Sequence, residues 1–428
     1  MPRGLSTAAV ALCAAAAVAL LGGVLAGGPA AARPPDDSRL LGELLSGLET
    51  GRTADYVRRL DQQPRAAGTL TLLGLAYQQR FRETGDPSYL SRSERALREA
   101  GAGGLVTAGR AALAATRHDF RQALVLAREA LRADPESPAA LGALGDALAG
   151  LGRYREAFAA FDRMAELAPS IASYSRVAHA RELIGRPAAA AEALELALEL
   201  EPTVPEYAAA ALVQLGRVYA NSGRIGDARR AYRRALARVP GYVRAEAGLA
   251  WVEAAAGDYA SSARRLRGVV DRLPLPEYAI RLTETLETAG RRAEAERAER
   301  LVEAIERLLR ANGVRTELQT ALFDLDRGHR LAGALARARE AHRAAPNIFS
   351  EDVLAWALAR NGRCGEALAY SRRSLRLGTR DALLFFHRGM IERCLGRRAE
   401  ARTWFRRALA VNPHFSLIWS PVAARGAR

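Results

Sequence analysis

Apolar positions recur along most of the chain with the spacing of a helix, in pairs of segments joined by short polar turns. In one such pair the run "LVQLGRVYA" stops at Gly223, and the run "GDARRAYRRALARV" stops before Pro240. Glycine can adopt the positive φ that ends a helix, and proline lacks the N–H that would continue one. The pattern therefore predicts a hairpin of two antiparallel helices, and no segment shows the alternation of a strand.

The helical pair is repeated at an almost constant period. Gly152, Gly185, Gly223, Gly257 and Gly290 are 33, 38, 34 and 33 residues apart, and Gly362 and Gly396 are separated by 34. An alanine or serine follows each of these glycines by five residues, and a proline follows most of them by seventeen. A constant period of this length indicates hairpins that stack into one elongated solenoid.

The residues conserved in type within each period identify the kind of repeat. Leu215, Gly216, Tyr219, Ala228, Tyr232, Ala235 and Pro240 resemble the tetratricopeptide repeat, and the copies around Gly145 and Gly389 match the same positions. The resemblance covers roughly residues 66–414. It implies an all-α fold, a right-handed superhelical solenoid of stacked helix–turn–helix hairpins, whose terminal repeats need caps.

The departures from the repeat divide the chain into five parts. We expect a signal peptide or uncleaved anchor at 1–32, an N-terminal helical cap at 33–65, and a first array of repeats at 66–310. A long charged helix and an irregular copy within 291–345 suggest a bend, with a second array at 311–414. Residues 415–428, which begin "FSLIWS", are expected to cap the last repeat.

The N-terminus has the features of an export signal. Arg3 precedes the uncharged apolar run Ala8–Ala26, and small residues end at Ala32 in the pattern that signal peptidases cleave. We therefore expect an exported protein, located outside the cell or in the cell envelope. The alternative is a membrane anchor at 8–26, since 19 helical residues span roughly 29 Å; membrane contact is expected only through this segment.

Charge changes the picture less than its size suggests. The formal net charge is +16, and all 63 basic residues are arginines. The repeat places one group on the outward face of the second helices, where polar side chains are tolerated: Arg128, Arg163, Arg233, Arg234, Arg267, Arg372, Arg373, Arg406 and Arg407. The alternative to a simple solvated face is a docking stripe for an anionic envelope polymer or lipid.

Ligands of proteins with this repeat lie in the concave groove made by the first helices. Carrying those inner positions over to this chain places the following residues in a peptide-binding groove: Arg217, Asn221, Trp251, Asp352, Trp356, Arg360, Phe386, His387, Met390 and Arg393. Aromatic and arginine side chains are frequent hot spots of interfaces. The alternative is that Trp356 and Phe386 pack beneath neighbouring helices. We expect a non-enzymatic scaffold that binds a protein or peptide carrying carboxylates.

The motifs of catalysis and cofactor binding are missing from the sequence. There is no lysine for a phosphate-binding loop and no nucleophile elbow, and the six histidines are scattered without ligand spacing. The sequence therefore predicts no enzyme, no metal and no cofactor. It also predicts no specific nucleic-acid partner, because the aromatic residues that stack on bases are sparse.

Two cysteines remain beyond the signal region. Cys364 lies in the turn of one copy and Cys394 late in the first helix of the next, positions that are neighbours when repeats stack. In an oxidising compartment we expect a disulfide between them. The alternative is two free thiols packed as small apolar residues.

Overall fold

The computed structural model describes residues 53–200 and 204–428, together with Leu40, Glu43 and Leu44. The predicted signal peptide and most of the N-terminal cap lie outside the described residues. Every regular element within these residues is a helix, and no strand occurs among them. The predicted all-α solenoid of stacked helical hairpins is confirmed.

A short helix, α1 (Thr53–Asp61), precedes the repeats. The first five hairpins pair consecutive helices, and adjacent hairpins pack side by side. Their bounds are α2 (Ala67–Thr84) and α3 (Ser88–Glu99), α4 (Gly104–Thr116) and α5 (Phe120–Ala133), α6 (Pro138–Gly150) and α7 (Tyr154–Leu167), α8 (Ile171–Leu183) and α9 (Pro187–Glu199), and α10 (Pro205–Asn221) and α11 (Ile225–Arg238).

The next five hairpins continue the stack, and a short final helix follows them. Their bounds are α12 (Val243–Ala255) and α13 (Tyr259–Arg272), α14 (Pro276–Thr288) and α15 (Arg292–Ala311), α16 (Glu317–Arg327) and α17 (Leu331–Ala344), α18 (Ile348–Arg360) and α19 (Cys364–Ser374), and α20 (Ala382–Cys394) and α21 (Arg398–Val411). The final helix is α22 (Trp419–Gly426).

The α10–α11 hairpin shows why the repeat needs small residues at two positions. Gly223 has φ 73° in the turn, and the N–H of Arg224 donates to the Tyr219 carbonyl at 2.9 Å, which closes the end of α10. Where the helices face each other, a Cβ added to Gly216 would lie 2.5 Å from the Tyr232 ring. Glycine at 216 therefore lets the tyrosine fill the space between the two helices.

The irregular stretch contains the longest helix of the described chain. The charged run predicted as a long helix forms α15, which has 20 residues. The end of this helix reaches the α2–α3 and α4–α5 hairpins: the Ser91 hydroxyl lies 3.0 Å from Asn312 Oδ1, and the Arg315 N–H donates to the Arg117 carbonyl at 3.1 Å. The departure from the repeat thus supplies a contact between parts of the chain more than 190 residues apart.

Similar contacts recur along the superhelix. The turn of one hairpin meets the link that follows the fifth hairpin after it: Asn347 donates to the Gly150 carbonyl at 2.9 Å, Thr379 donates to Leu183, and Asn412 donates to Ala220 at 3.0 Å. One superhelical turn therefore takes between five and six hairpins, and successive turns touch. Successive turns therefore lie close together around the concave side, on which ligands were expected.

Candidate binding surface

The groove residues predicted in the last hairpins are largely buried. The exposed fractions of Asp352, Trp356, Phe386 and His387 lie between 0% and 1%. Trp356 stacks on His387 with ring centroids 4.6 Å apart. These four side chains therefore pack between helices and do not line an open groove. For Trp356 and Phe386, this is the alternative in which they pack beneath neighbouring helices.

The chain's own C-terminal segment, residues 412–428, covers these residues. The Trp419 ring lies 5.8 Å from Trp356 and 5.2 Å from Phe386, and Phe415 lies 5.6 Å from Phe386. The indoles of Trp356 and Trp419 both donate to one Asp326 carboxylate oxygen, at 2.8 and 3.2 Å. An aromatic and hydrogen-bonded closure of this kind leaves no space for a peptide on the same surface.

Sequence reasoning missed Asp326 and the role of Trp419. The motif "HFSLIWS" was interpreted as a cap on the last repeat, and its aromatic residues were the available signal. They did not reveal that Trp419 contacts side chains of three successive first helices, α16, α18 and α20. Trp419 Nε1 lies 93 residues from its acceptor along the chain, too far for local spacing to pair them.

The remaining predicted residues near the C-terminus are more accessible but dispersed. Arg360 is half-buried and places its guanidinium 5.3 Å from the centroid of the Trp356 ring. Met390 is half-buried, and Arg393 is exposed near the end of α20. Arg360 and Met390 border the closed aromatic cluster.

The other three predicted residues meet in a pocket on the inner side of the superhelix. Arg217 and Asn221 come from α10 and Trp251 from α12, the first helices of successive hairpins. Arg281 of α14 joins them, and residues from the next superhelical turn close the opposite side. We call this the interior pocket; its lining is Arg217, Ala220, Asn221, Tyr232, Trp251, Arg281, Asp381, Ala382, Leu383, Asn412 and Phe415.

The interior pocket is basic where the inner helices line it. Arg217 pairs with Glu182 at 2.8 Å. The Nε of Arg281 is buried and has no hydrogen-bond partner among the described residues. Its neighbour Glu284 is buried, and burial raises the pKa of Glu284 well above its usual value. The raised pKa favours the neutral form of Glu284, which weakens its pairing with the guanidinium of Arg281.

Two titratable residues complete the electrostatics. Burial raises the pKa of Asp381 to about 6, although its carboxylate accepts hydrogen bonds from the N–H groups of Leu383 and Leu384. Burial, and to a lesser degree Arg217, lowers the pKa of His179 in the adjoining pocket to about 3. His179 is therefore neutral at physiological pH and adds no positive charge beside Arg217.

His387 has a different electrostatic setting in the aromatic cluster. Burial opposes its charged form, but the Asp352 carboxylate 2.7 Å from Nδ1, with Asp326 and Asp381, raises the pKa of His387. This histidine pairs with Asp352 beneath Trp356 and is not exposed to a substrate.

The structure joins Cys364 and Cys394 as a disulfide. Their Cα atoms are 6.1 Å apart, and the bond ties the start of α19 to the end of α20. Cys364 is buried, whereas Cys394 is exposed.

Metal and membrane sites were also considered. Within the described ranges, no group of three or more histidine, cysteine or carboxylate side chains is arranged to hold a metal ion. None of the described helices combines the length and apolar character needed to cross a bilayer.

Comparison with known structures finds helical repeat proteins. One is PilW, a widely conserved type IV pilus biogenesis factor: 22% identity, 47% of this chain and 92% of that chain covered, TM-score 0.39. The human IFIT1 dimer with m7Gppp-AAAA is 14% identical over 86% of this chain and 89% of that chain, with a TM-score of 0.47. A tetratricopeptide repeat protein from Parabacteroides merdae is 16% identical over 60% of this chain and 97% of that chain, with a TM-score of 0.35.

No curated protein matches the sequence. Two tetratricopeptide repeat profiles do match it, one at residues 114–182 and the other at 178–242, 213–275 and 353–414. Together these matches cover just over half of the chain and include both helices of the hairpin around Gly223. The chain belongs to the tetratricopeptide repeat family.

Proposed function

We propose that this protein is an exported, non-enzymatic scaffold that binds an acidic segment of a protein partner in the interior pocket. The observation that carries the proposal is Arg281, whose Nε is buried without a partner beside Arg217 and Trp251. A buried donor left unsatisfied costs roughly 1–3 kcal/mol. Because Nε is buried in the free protein, a partner's carboxylate recovers that energy by entering the pocket and shifting the Arg281 side chain until Nε donates to it.

The shape of the interior pocket also supports a peptide partner. Trp251 offers a half-buried aromatic surface, and Asn221 offers an exposed amide. An aromatic surface, an amide and two guanidinium groups suit an extended segment with alternating apolar and acidic residues. Because Trp356 and Phe386 are covered by residues 412–428, the proposed site moves from the last hairpins to the middle of the array.

Export rests on the sequence features of residues 1–32 and is consistent with the joined cysteines. Disulfides persist in oxidising compartments and are rare in the cytosol. A cell-envelope scaffold would meet its protein partner there. The absence of catalytic motifs in the sequence supports the non-enzymatic part of the proposal.

The test is a capture experiment from native envelope extract, followed by titration of the captured protein. The full chain is compared with a variant carrying Trp251→Ala and Arg281→Ala. Truncating two hot-spot residues costs at least about 2 kcal/mol, so we expect affinity to fall roughly 30-fold or more.

The matched control carries Arg372→Ala, an exposed arginine on the outer face. We expect it to keep the partner at moderate salt. Equal binding by the pocket variant and the wild type would refute the proposed site, and circular dichroism would establish that both variants remain helical.

A further inference from the structure

The contact between successive superhelical turns aligns two outer helices end to end. The end of α21 meets the start of α11: Asn412 donates to the Ala220 carbonyl at 3.0 Å, and a Cβ added to Gly223 would lie 3.2 Å from the Val411 carbonyl oxygen. Each of the two helices has 14 residues, which corresponds to about 21 Å. The two helices therefore follow one another across the contact, with a combined helix length of about 42 Å; we call them the outer column.

This column is basic along its full length. α11 contains five arginines and one aspartate, and α21 contains four arginines and one glutamate. Equivalent outward positions carry the same pair in both helices, and all four side chains are exposed. We call these four residues the basic stripe: Arg233, Arg234, Arg406 and Arg407.

The carboxylates near the column neutralise only part of its charge. Asp227 is engaged by Arg224 at 2.6 Å and by Arg230. Arg234 reaches Glu195 at 3.3 Å, but both side chains are exposed, and such surface pairs contribute little. In the part of the chain that the structure describes, neither Arg233 nor Arg407 makes an ion pair.

Other outer columns are not uniformly charged. By the same winding, α9 aligns with α19, because Thr379 donates to the Leu183 carbonyl beside the start of α9. α9 has three glutamates and no arginine. Both helices of the outer column carry more arginines than carboxylates, which reflects which two helices the superhelix brings together and not composition alone.

From this alignment we propose that the basic stripe binds a linear polyanion that carries phosphate groups. The guanidinium fork recognises phosphate in a bidentate manner, and two arginine pairs on successive superhelical turns suit an extended chain of phosphates better than a single small anion. The proposal is independent of the interior pocket, which lies on the opposite side of the same hairpins.

Two other anionic partners fit the column less well. A bilayer would favour large apolar side chains that could insert, and the exposed ones of the described chain lie on other helices. A single-stranded nucleic acid would favour exposed aromatics for base stacking. Trp404, the one tryptophan of the column, is half-buried, with Phe385 at 5.6 Å and the guanidinium of Arg407 at 4.6 Å from its ring.

The test measures binding of fluorescently labelled inorganic polyphosphate to the full chain by anisotropy. The stripe variant carries Arg233→Gln, Arg234→Gln, Arg406→Gln and Arg407→Gln. Its matched control replaces four exposed arginines at the same outward positions of other hairpins: Arg128→Gln, Arg163→Gln, Arg339→Gln and Arg372→Gln. Both variants lose four charges.

We expect the stripe variant to bind polyphosphate at least tenfold more weakly than the wild type, and the control variant to stay within threefold. The wild-type affinity should fall steeply with salt. Equal losses of affinity in the two variants would show that net charge alone explains polyphosphate binding, and this would overturn the proposal. So would absence of polyphosphate binding at low salt, or binding of vesicles containing phosphatidylglycerol in preference to polyphosphate.

Discussion

Single buried polar residues determine how the C-terminal end of the superhelix is closed. Asp326 accepts from two tryptophan indoles, and His387 pairs with Asp352 directly below them. Each of these groups would be costly to bury alone, and each has a hydrogen-bond partner at least 30 residues away, although Asp352 Oδ1 and His387 Nε2 are buried without one. Residue-level chemistry here depends on side chains from α16, α18 and α20, brought together with Trp419.

His387 leads to a prediction about pH. Because its folded-state pKa is raised, the protonated histidine contributes stability that is fully present below the ordinary histidine pKa. That contribution is lost as pH rises through the raised value. We expect His387→Gln to be less stable than the wild type in acid, with the difference shrinking as pH increases. Urea unfolding over a pH series measures it.

The control for this prediction is His342→Gln. Burial lowers the pKa of half-buried His342, so its loss should not produce a difference that shrinks with rising pH. A stability difference for His387→Gln that stays constant across the pH series would contradict the stabilising role assigned to the His387–Asp352 pair.

The hairpin is the unit in which local sequence and packing agree most closely. Gly145 and Gly216 each leave room for an aromatic ring, Phe161 and Tyr232 respectively, which the second helix of the hairpin supplies. On the second helices the repeat places a small residue facing the first helix, and the alanines there, such as Ala228 and Ala401, are buried. The repeat therefore encodes the approach of its own two helices.

The disulfide belongs to this scale because it joins consecutive hairpins. Its 30-residue separation predicts that replacing both cysteines by alanine lowers the free energy of unfolding by roughly 3–4 kcal/mol. Urea unfolding of the wild type with and without reductant should show a similar loss, whereas the double variant should not respond to reductant.

Thiol labelling provides the complementary measurement. In denatured protein purified without reductant, neither Cys364 nor Cys394 should react. Full labelling of both would show that the two cysteines remain thiols in the native protein, and it would remove one support for export.

The whole molecule differs from an open solenoid because its successive turns touch. Stability in a repeat array is ordinarily a sum of nearest-neighbour terms. Here hydrogen bonds from Asn347, Thr379 and Asn412 connect residues separated by 192–197 positions. Distant hairpins are thus coupled, which favours a single cooperative unfolding transition.

A triple variant, Asn347→Ala, Thr379→Val and Asn412→Ala, tests this coupling. Each lost hydrogen bond costs about 1 kcal/mol, so we expect about 3 kcal/mol of destabilisation and a broadened or divided transition. Small-angle scattering should show a larger radius of gyration at unchanged helicity. A narrow transition with wild-type dimensions would indicate that apolar contacts alone hold the turns together.

Local spacing was sufficient for much of the architecture. The glycine and proline period predicted the hairpins and the outward arginines, eight of which are exposed, with Arg267 half-buried. A charged run that departs from the period predicted the long helix α15. These features depend on contacts within one hairpin or between neighbours. Their periodicity is therefore visible in the amino-acid sequence.

The inner surface was decided only by the tertiary structure. Small rotations between consecutive hairpins accumulate over the array, and their sum determines which residues of distant hairpins meet. That sum brought residues 412–428 over Trp356 and Phe386, left Arg217, Asn221 and Trp251 around Arg281, and aligned α21 with α11. The sequence by itself determined the repeating unit, because its packing is local; the superhelical pitch selected the surfaces, because pitch is a property of the whole stack.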